Sequence, residues 1–352
     1  MIDSIKLEQK KDINPFSKIT SYNPLNYILK RVIDYTISLP LLINRDHIII
    51  LGEQYTFTTW ELENLEKKFS SINFIKYNAI DSKEVINKIH SNLHKKKKIV
   101  IVLNTKAVVP NNLLNFLTNL KNIQYFSIQT FMEEYLQKCY IPSKLTDISF
   151  LEKLRPLNIL EHLLKFIIDY TLSIGILLLS SPILLYSIYK IKKESPGPIL
   201  FKQKRIGKEG KEFTCIKFRS MIIDAEKNGA KFAEKNDERV YAWGRTMRST
   251  RIDEIPQLWN VLKGDMHLIG PRPERKVWIE NFEKEIPYYN ERHIIKPGLT
   301  GWAQVLYPYG SDTYDAKQKL MYDLYYIKHW SLWLELKTVW KTILVVVTRQ
   351  GV

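Results

Sequence analysis

YTLSIGILLLSSPILLYSIY, residues 170 to 189, is a run of 20 consecutive uncharged residues between Asp169 and Lys190. At about 1.5 Å per residue in a helix it matches a hydrocarbon core about 30 Å thick. Ser180, Ser181 and Pro182 stand at its centre. Proline removes one helical hydrogen bond and crowds the preceding turn, so a bend or break is expected there. Both flanks are basic: Lys153, Arg155 and Lys165 precede the run, and Lys190, Lys192, Lys193, Lys202, Lys204 and Arg205 follow it. Cytosolic flanks are the Lys- and Arg-rich ones, so both ends favour the same side of a membrane. The expected solution is a re-entrant helix that enters and leaves one leaflet, with Ser181 and Pro182 at its break. A single crossing and a buried helix of a soluble protein are the competing readings.

Residues 190 to 219 hold ten Lys or Arg against three Glu. Cations beside a membrane segment attract anionic lipid, each by about 1 kcal/mol near the surface. The whole chain, 352 residues with a formal net charge of +16, therefore faces an anionic partner. Its basic segment adjoins an apolar run and belongs to no helix-turn-helix or zinc finger, which argues against nucleic acid. The 45% hydrophobic content excludes general disorder. Two cysteines, Cys139 and Cys215, can form neither a disulfide framework nor a four-thiolate zinc site. The start, MIDSIKLEQKKDINP, lacks an apolar stretch, so no cleaved signal peptide is expected and the first domain stays in the cytosol.

Upstream, HIIILG (47 to 52), NFIKYNA (73 to 79), KIVIVLN (98 to 104) and IQYFSI (123 to 128) alternate with helical stretches such as 58 to 71 and 82 to 93. Continuous Val/Ile runs separated by helices predict a small parallel sheet, a Rossmann-like unit. Its first turn, GEQYTFTT, has one glycine and no G-x-G-x-x-G platform, so no nucleotide is expected there. The carboxylates Glu53, Glu61 and Glu63 have no clustered partners in the sequence. HKKKK (94 to 98) reads as a cationic helix end before a strand. A faint echo links Pro24-Leu25-Asn26 and LKRVIDYTIS (29 to 38) to Pro156-Leu157-Asn158 and LKFIIDYTLS (164 to 173). It leaves open whether residues 24 to 43 also touch a membrane.

The chemistry concentrates after the apolar run. In FKQKRIGKEGKEFTCIKFRSM (201 to 221), Lys217 and Arg219 fall on one face of an expected strand, where convergent cations can hold a diphosphate. In RIDEIPQLWNVLKGDMHLIGPRP (251 to 273), Asp253 and Glu254 precede an apolar periodicity of Ile255, Leu258, Trp259 and Leu262, with Pro256 in the first turn. Two adjacent carboxylates among Arg245, Arg248, Arg251 and Arg272 suggest one nucleophile and one Mg²⁺ ligand serving a phosphorylated substrate. An ordinary N-capping Asp with a neighbouring Glu is the competing reading.

Together with KPGLTGWAQV (296 to 305), these segments resemble the bacterial sugar transferase family, the monotopic polyprenyl-phosphate phosphoglycosyltransferases, over about residues 160 to 352. The resemblance implies transfer of a sugar-1-phosphate from a UDP-sugar to undecaprenyl phosphate, releasing UMP and starting a surface glycan. It implies Asp253 as nucleophile, Glu254 as Mg²⁺ ligand, Lys217 and Arg272 as phosphate-binding cations, Arg248 as a further functional arginine and Ser181-Pro182 as the re-entrant break; Arg219, from its strand-face position, joins these three as an expected substrate-binding cation. It places the chain at the cytosolic face of the inner membrane. Longer members carry transmembrane helices before a Rossmann-like domain; here the domain is expected without that bundle, and a homodimer is an expectation.

WSLWLELKTVWKTILVVV (330 to 347) sets Trp333, Trp340, Ile343, Leu344 and Val347 near one helical face with Trp330 at its start, the pattern of an interfacial helix. PYGSDTYD (308 to 315) reads as a loop near the site. His267, His293 and His329 have no mutual metal spacing and are expected to be solvated or capping. The expected fold is α/β throughout: a Rossmann-like non-catalytic domain over residues 1 to 150, a linker and re-entrant helix over 151 to 195, and a membrane-associated α/β catalytic domain over 196 to 352. The rival from another class is a membrane-bound scaffold of a glycan-assembly complex.

Overall fold

The computed structural model describes residues 46–77, 82–93, 99–106, 108–121, 123–142, 154–225, 227, 237–307, 310 and 312–348. The chain divides between Tyr140 and Ile141. The HKKKK run, the 24–38 echo and most of the 141–156 linker lie outside the described residues.

In the first unit, β1 (His47–Leu51), β2 (Ser71–Ile75), β3 (Ile99–Leu103) and β4 (Ile123–Ser127) form one sheet in the order β2-β1-β3-β4. Every pairing is parallel, as the Val/Ile runs predict. The helices α1 (Thr59–Glu66), α2 (Ser82–Asn92) and α3 (Asn111–Asn119) cross between strands, and a short α4 (Ile128–Phe131) follows the last. Ile49, Leu51, Ile99 and Ile101 pack with Val85 and Ile89 of α2 and Leu113 and Leu117 of α3. Burial on both faces makes β1 and β3 continuously apolar rather than alternating. The second strand begins two residues before the predicted run and stops at Ile75.

The turn after β1 is closed by Asn104, at the end of β3. Its side chain donates to Gly52 O at 3.2 Å and Tyr55 O at 2.9 Å and accepts from Tyr55 N at 2.8 Å. Gly52 has φ +96°, and a Cβ there would fall 2.5 Å from Asn104 O. Glu61, which has no sequence neighbour to pair with, is buried against Lys138 and Tyr55 as well as closing a capping box with Thr58. That pairing spans 77 residues, so only the fold reveals it.

The second unit opens with α5 (Ile159–Glu194), 36 residues long and started by an Asn158–Glu161 capping box. The uncharged run is only its middle. The helix carries Pro182 within helical backbone, where sequence reading expects a break. The physical reason is local. Pro182 supplies no N–H to Leu178 O, and Ser181 Oγ donates to that carbonyl instead, at 2.8 Å.

An antiparallel hairpin follows, β5 (Leu200–Ile206) with β6 (Glu212–Phe218), then α6 (Ala242–Thr250), a 3₁₀ turn (Ile252–Gln257) and α7 (Leu258–Lys263). β7 (His267–Ile269) pairs in parallel with β8 (Gly298–Thr300). Between them lie α8 (Lys276–Glu285) and a 3₁₀ turn (Tyr289–Ile294); α9 (Trp302–Leu306), α10 (Thr313–Lys328) and α11 (Leu332–Val347) complete the unit. Gly270 and Gly298 allow β7 and β8 to close, since a Cβ on Gly298 would lie 2.0 Å from Gly270 N.

Both ends of α5 are fixed to this unit. Near its start, Asp169 accepts from Leu268 N at 3.1 Å and lies 2.6 Å from His267 Nδ1. Lys165 bridges Asp169 at 3.2 Å and Glu335 of α11 at 3.0 Å. Near its end, Glu194 accepts from Trp243 N at 2.7 Å, and Ile191 packs on Phe218 and Met247. Between these anchors the outer face is apolar and open, with Leu179 86% exposed. α11 likewise exposes Trp333, Leu336, Trp340, Ile343 and Val347, one stripe at helical spacing. Leu344, expected on that stripe, is half-buried. His267 is buried against Asp169 rather than solvated, and burial pushes its imidazole down to about 4. His329 caps α10.

Candidate active site

The hairpin, the 3₁₀ turn and the loop after β7 converge on Glu254. Lys217, near the end of β6, donates to Glu254 Oε1 at 2.9 Å. Arg272, in the Pro271-Arg272-Pro273 loop, donates to the same oxygen at 2.9 Å. Arg251 approaches Oε2 at 3.8 Å. Three segments far apart in sequence thus deliver three cations to one carboxylate.

Local structure sets that geometry. Arg251 ends α6 in the left-handed region, φ +60°, which turns the chain into the 3₁₀ segment bearing Asp253 and Glu254. The expected single apolar helix is therefore two pieces, and Trp259 is exposed rather than in its apolar face. Asn260 of α7 is fully buried and ties this region to the hairpin. It donates to Thr214 O at 2.7 Å and accepts from Ile216 N at 3.1 Å. α6 approaches the chain after β6 so closely that a Cβ on Gly244 would lie 2.1 Å from Ser220 O.

The two carboxylates differ sharply. Burial opposes ionisation of Glu254, yet Lys217, Arg272 and Arg251 hold it well below the ordinary carboxylate value. Asp253 is pushed up to about 6, first by burial and then by the Glu254 charge, which Lys217, Arg251 and Arg248 only partly offset. Its Oδ1 is buried with no hydrogen-bond partner. A buried carboxylate oxygen without a donor is costly, and a perturbed carboxylate beside several cations marks Asp253 as a candidate functional group.

Arg219 departs from its expected place. β6 ends at Phe218, so the period-2 rule that put Arg219 beside Lys217 stops one residue short. Its guanidinium donates to Ser195 O, Ser195 Oγ and Pro198 O at the end of α5, and Tyr241 OH donates to its carbonyl. Arg219 thus fastens the site strand to the long helix. Arg248 sits on α6, close enough for its charge to act on Asp253.

Among the described residues no three His, Cys, Asp or Glu side chains are placed to hold a metal ion. Glu254 Oε1 is already occupied by two donors, whereas Asp253 Oδ1 has none. This donor set fits Mg²⁺ as an ion that takes one or two carboxylates and completes its shell with substrate phosphate and water, not as one caged by protein.

Two buried groups that the sequence does not signal stand behind Arg272. Arg292 donates to Arg272 O at 3.0 Å and to Asp323 Oδ2 at 2.7 Å. The loop residues 308, 309 and 311 lie outside the described residues; Asp312 and Asp315 form the capping box of α10.

The sequence has relatives of this kind. It is 50% identical over 173 residues to the UDP-N-acetylgalactosamine-undecaprenyl-phosphate N-acetylgalactosaminephosphotransferase of Aeromonas hydrophila, covering 49% of this chain and 41% of that protein. It is 41% identical over 190 residues to the UDP-glucose:undecaprenyl-phosphate glucose-1-phosphate transferase of Escherichia coli K12, covering 53% of this chain and 41% of that protein. A shorter relative, the glucose-1-phosphate transferase of Caulobacter vibrioides, is 40% identical over 51% of this chain and 68% of its own length. The chain thus spans about two fifths of the length of the first two. The family description "Bacterial sugar transferase" matches residues 160–349, from the first turn of α5 to beyond α11 and across every residue of the site, and the chain belongs to that family.

Proposed function

We propose that this chain transfers a sugar-1-phosphate from a UDP-sugar to undecaprenyl phosphate, with Asp253 as the nucleophile. The observation that carries this reading is the unpartnered, buried Asp253 Oδ1 set beside a carboxylate held ionised by Lys217 and Arg272. An Asp oxygen attacks the β-phosphorus of the UDP-sugar, the bond to the α-phosphate oxygen breaks, and UMP leaves with the electron pair. An oxygen of undecaprenyl phosphate then attacks the resulting aspartyl-phosphosugar and restores the carboxylate. Carboxylate is a good leaving group from phosphorus, so two in-line displacements replace one difficult encounter. Lys217, Arg248 and Arg272 hold phosphate oxygens and spread their charge. Glu254, together with substrate phosphate oxygens, would hold Mg²⁺, which would add further neutralisation of the diphosphate charge.

The membrane reading has its own support. A crossing of residues 170 to 189 would separate the ends of α5 by a bilayer, whereas Asp169 and Glu194 are bound to one unit. We therefore place α5 as re-entrant, bent at Ser181-Pro182 with its helical backbone retained, at the cytosolic face of the inner membrane, with α11 as a second apolar stripe on anionic lipid. The first unit we read as a Rossmann-like, non-catalytic module for self-association or regulation; Asn104 closing the turn where a phosphate cradle would form supports the non-catalytic part of that reading.

UMP release tests the reaction. Purified chain with Mg²⁺, undecaprenyl phosphate and a panel of UDP-sugars should release UMP with at least one of them. No release with any member favours the scaffold reading instead. The panel begins with UDP-N-acetylgalactosamine, UDP-glucose and UDP-galactose, the sugars in the relatives' names.

A further inference from the structure

The Pro271-Arg272-Pro273 loop has φ fixed at each proline, and hydrogen bonds from other segments tie it into the fold. Two of its three residues lack an N–H, and it lies between β7 and α8 in no regular element. Its carbonyls are held from outside: Pro271 O accepts from Gly298 N at 2.9 Å, Pro273 O from Arg205 at 3.1 Å and Glu274 O from Ile206 N at 3.0 Å. The carbonyl of Arg272 itself is held by Arg292 at 3.0 Å. Arg292 is in turn fixed by Asp323 of α10 at 2.7 Å and by the hydroxyl of Tyr289 at 2.8 Å. Arg292 and Asp323 are buried, and the terminal nitrogens of Arg292 are taken up by Arg272 O, Asp323 and Tyr289. A planar guanidinium held on both terminal nitrogens has little freedom left, although its Nε has no partner.

We infer that Arg292, braced by Asp323 and Tyr289, is a positioning residue: it fixes the main chain of Arg272 so that the Arg272 guanidinium stands over Glu254 and the substrate diphosphate. This deepens, and rests on, the phosphotransfer reading above. A buried ion pair is weak evidence for stability in itself. Its placement on the carbonyl of a site residue gives it a use that a general core pair would not have.

A double-mutant cycle on the full chain in detergent tests it, reading both kcat/KM for UMP release and UDP affinity by calorimetry. Arg292→Lys keeps the charge and loses the fork. It should lower both quantities about tenfold in the native background and less than twofold in an Arg272→Ala background, because Arg292 acts through Arg272. Should Arg292→Lys not fold, Tyr289→Phe removes one brace without emptying the core and should lower both about threefold, again only when Arg272 is present. A folded variant with native kcat/KM and native UDP affinity, or one equally damaging in both backgrounds, overturns the inference while leaving the phosphotransfer reading standing. A native chain that neither releases UMP nor binds UDP overturns both.

Discussion

Lys217 Nζ lies 2.9 Å from Glu254 Oε1, joining the end of the hairpin to the 3₁₀ turn across 37 residues. Asp253, one residue away from that pair, has a buried oxygen with no donor. The proposed chemistry rests on this contrast: one carboxylate is neutralised by fixed cations, and its buried neighbour lacks a hydrogen-bond donor at Oδ1.

Replacing Lys217 by Met should therefore do two separable things. It should lower kcat/KM by about 10²-fold, the loss seen when one fixed charge-stabilising donor is removed. It should also move the acid limb of the pH–rate profile to higher pH, because Lys217 lowers the pKa of Asp253. A pH profile of UMP release checks both, and an unshifted limb would argue that Lys217 does not act on Asp253.

On the proposed reaction, UMP release by the native chain should fall as pH drops through about 6, where Asp253 takes up a proton. Stability follows the opposite sign. An aspartate in the unfolded chain titrates near about 3.9, so its raised value in the fold favours the folded state below about 4. That contribution is lost as pH rises to about 6. Asp253→Asn should thus be more stable than the native chain at pH 7.5, by about 1–3 kcal/mol, and gain little at pH 4. Equal melting at both pH values would contradict a buried, uncompensated carboxylate.

Arg219 should behave as a fastener. Arg219→Ala frees three carbonyl and hydroxyl acceptors at the end of α5 and should cost about 2–4 kcal/mol of stability. The KM for UDP-sugar of the folded fraction should stay within about twofold. A large KM rise without loss of thermal stability would return Arg219 to the substrate.

Single cysteines at Arg155 and Lys193, placed after removal of Cys139 and Cys215, report topology. Both should resist an impermeant thiol reagent in intact cells, since both flanks of α5 belong to one unit. Labelling of one alone would establish a crossing.

What the sequence made legible was local. The four parallel strands follow from Val/Ile runs too apolar to face water, and the apolar run, Asp253, Glu254, Lys217 and Arg272 stand in segments whose composition marks them. What it hid was set by distant pairing. Arg219 was misplaced because a strand ended one residue early at Phe218. Glu61 found Lys138, Asp169 found His267 and Arg292 found Asp323 across 77, 98 and 31 residues. No periodicity carries such pairs. Pro182 forecast a break by its lost donor, and the neighbouring Ser181 hydroxyl, which satisfies the freed carbonyl, kept the helix continuous.

The covalent step is the most direct test. The chain incubated with Mg²⁺ and a UDP-sugar labelled in its β-phosphate, without lipid, should release UMP in proportion to protein and retain the label on Asp253, and undecaprenyl phosphate should then discharge it. UMP that appears only after lipid is added, with no labelled protein, or label retained by Asp253→Asn, would contradict the account.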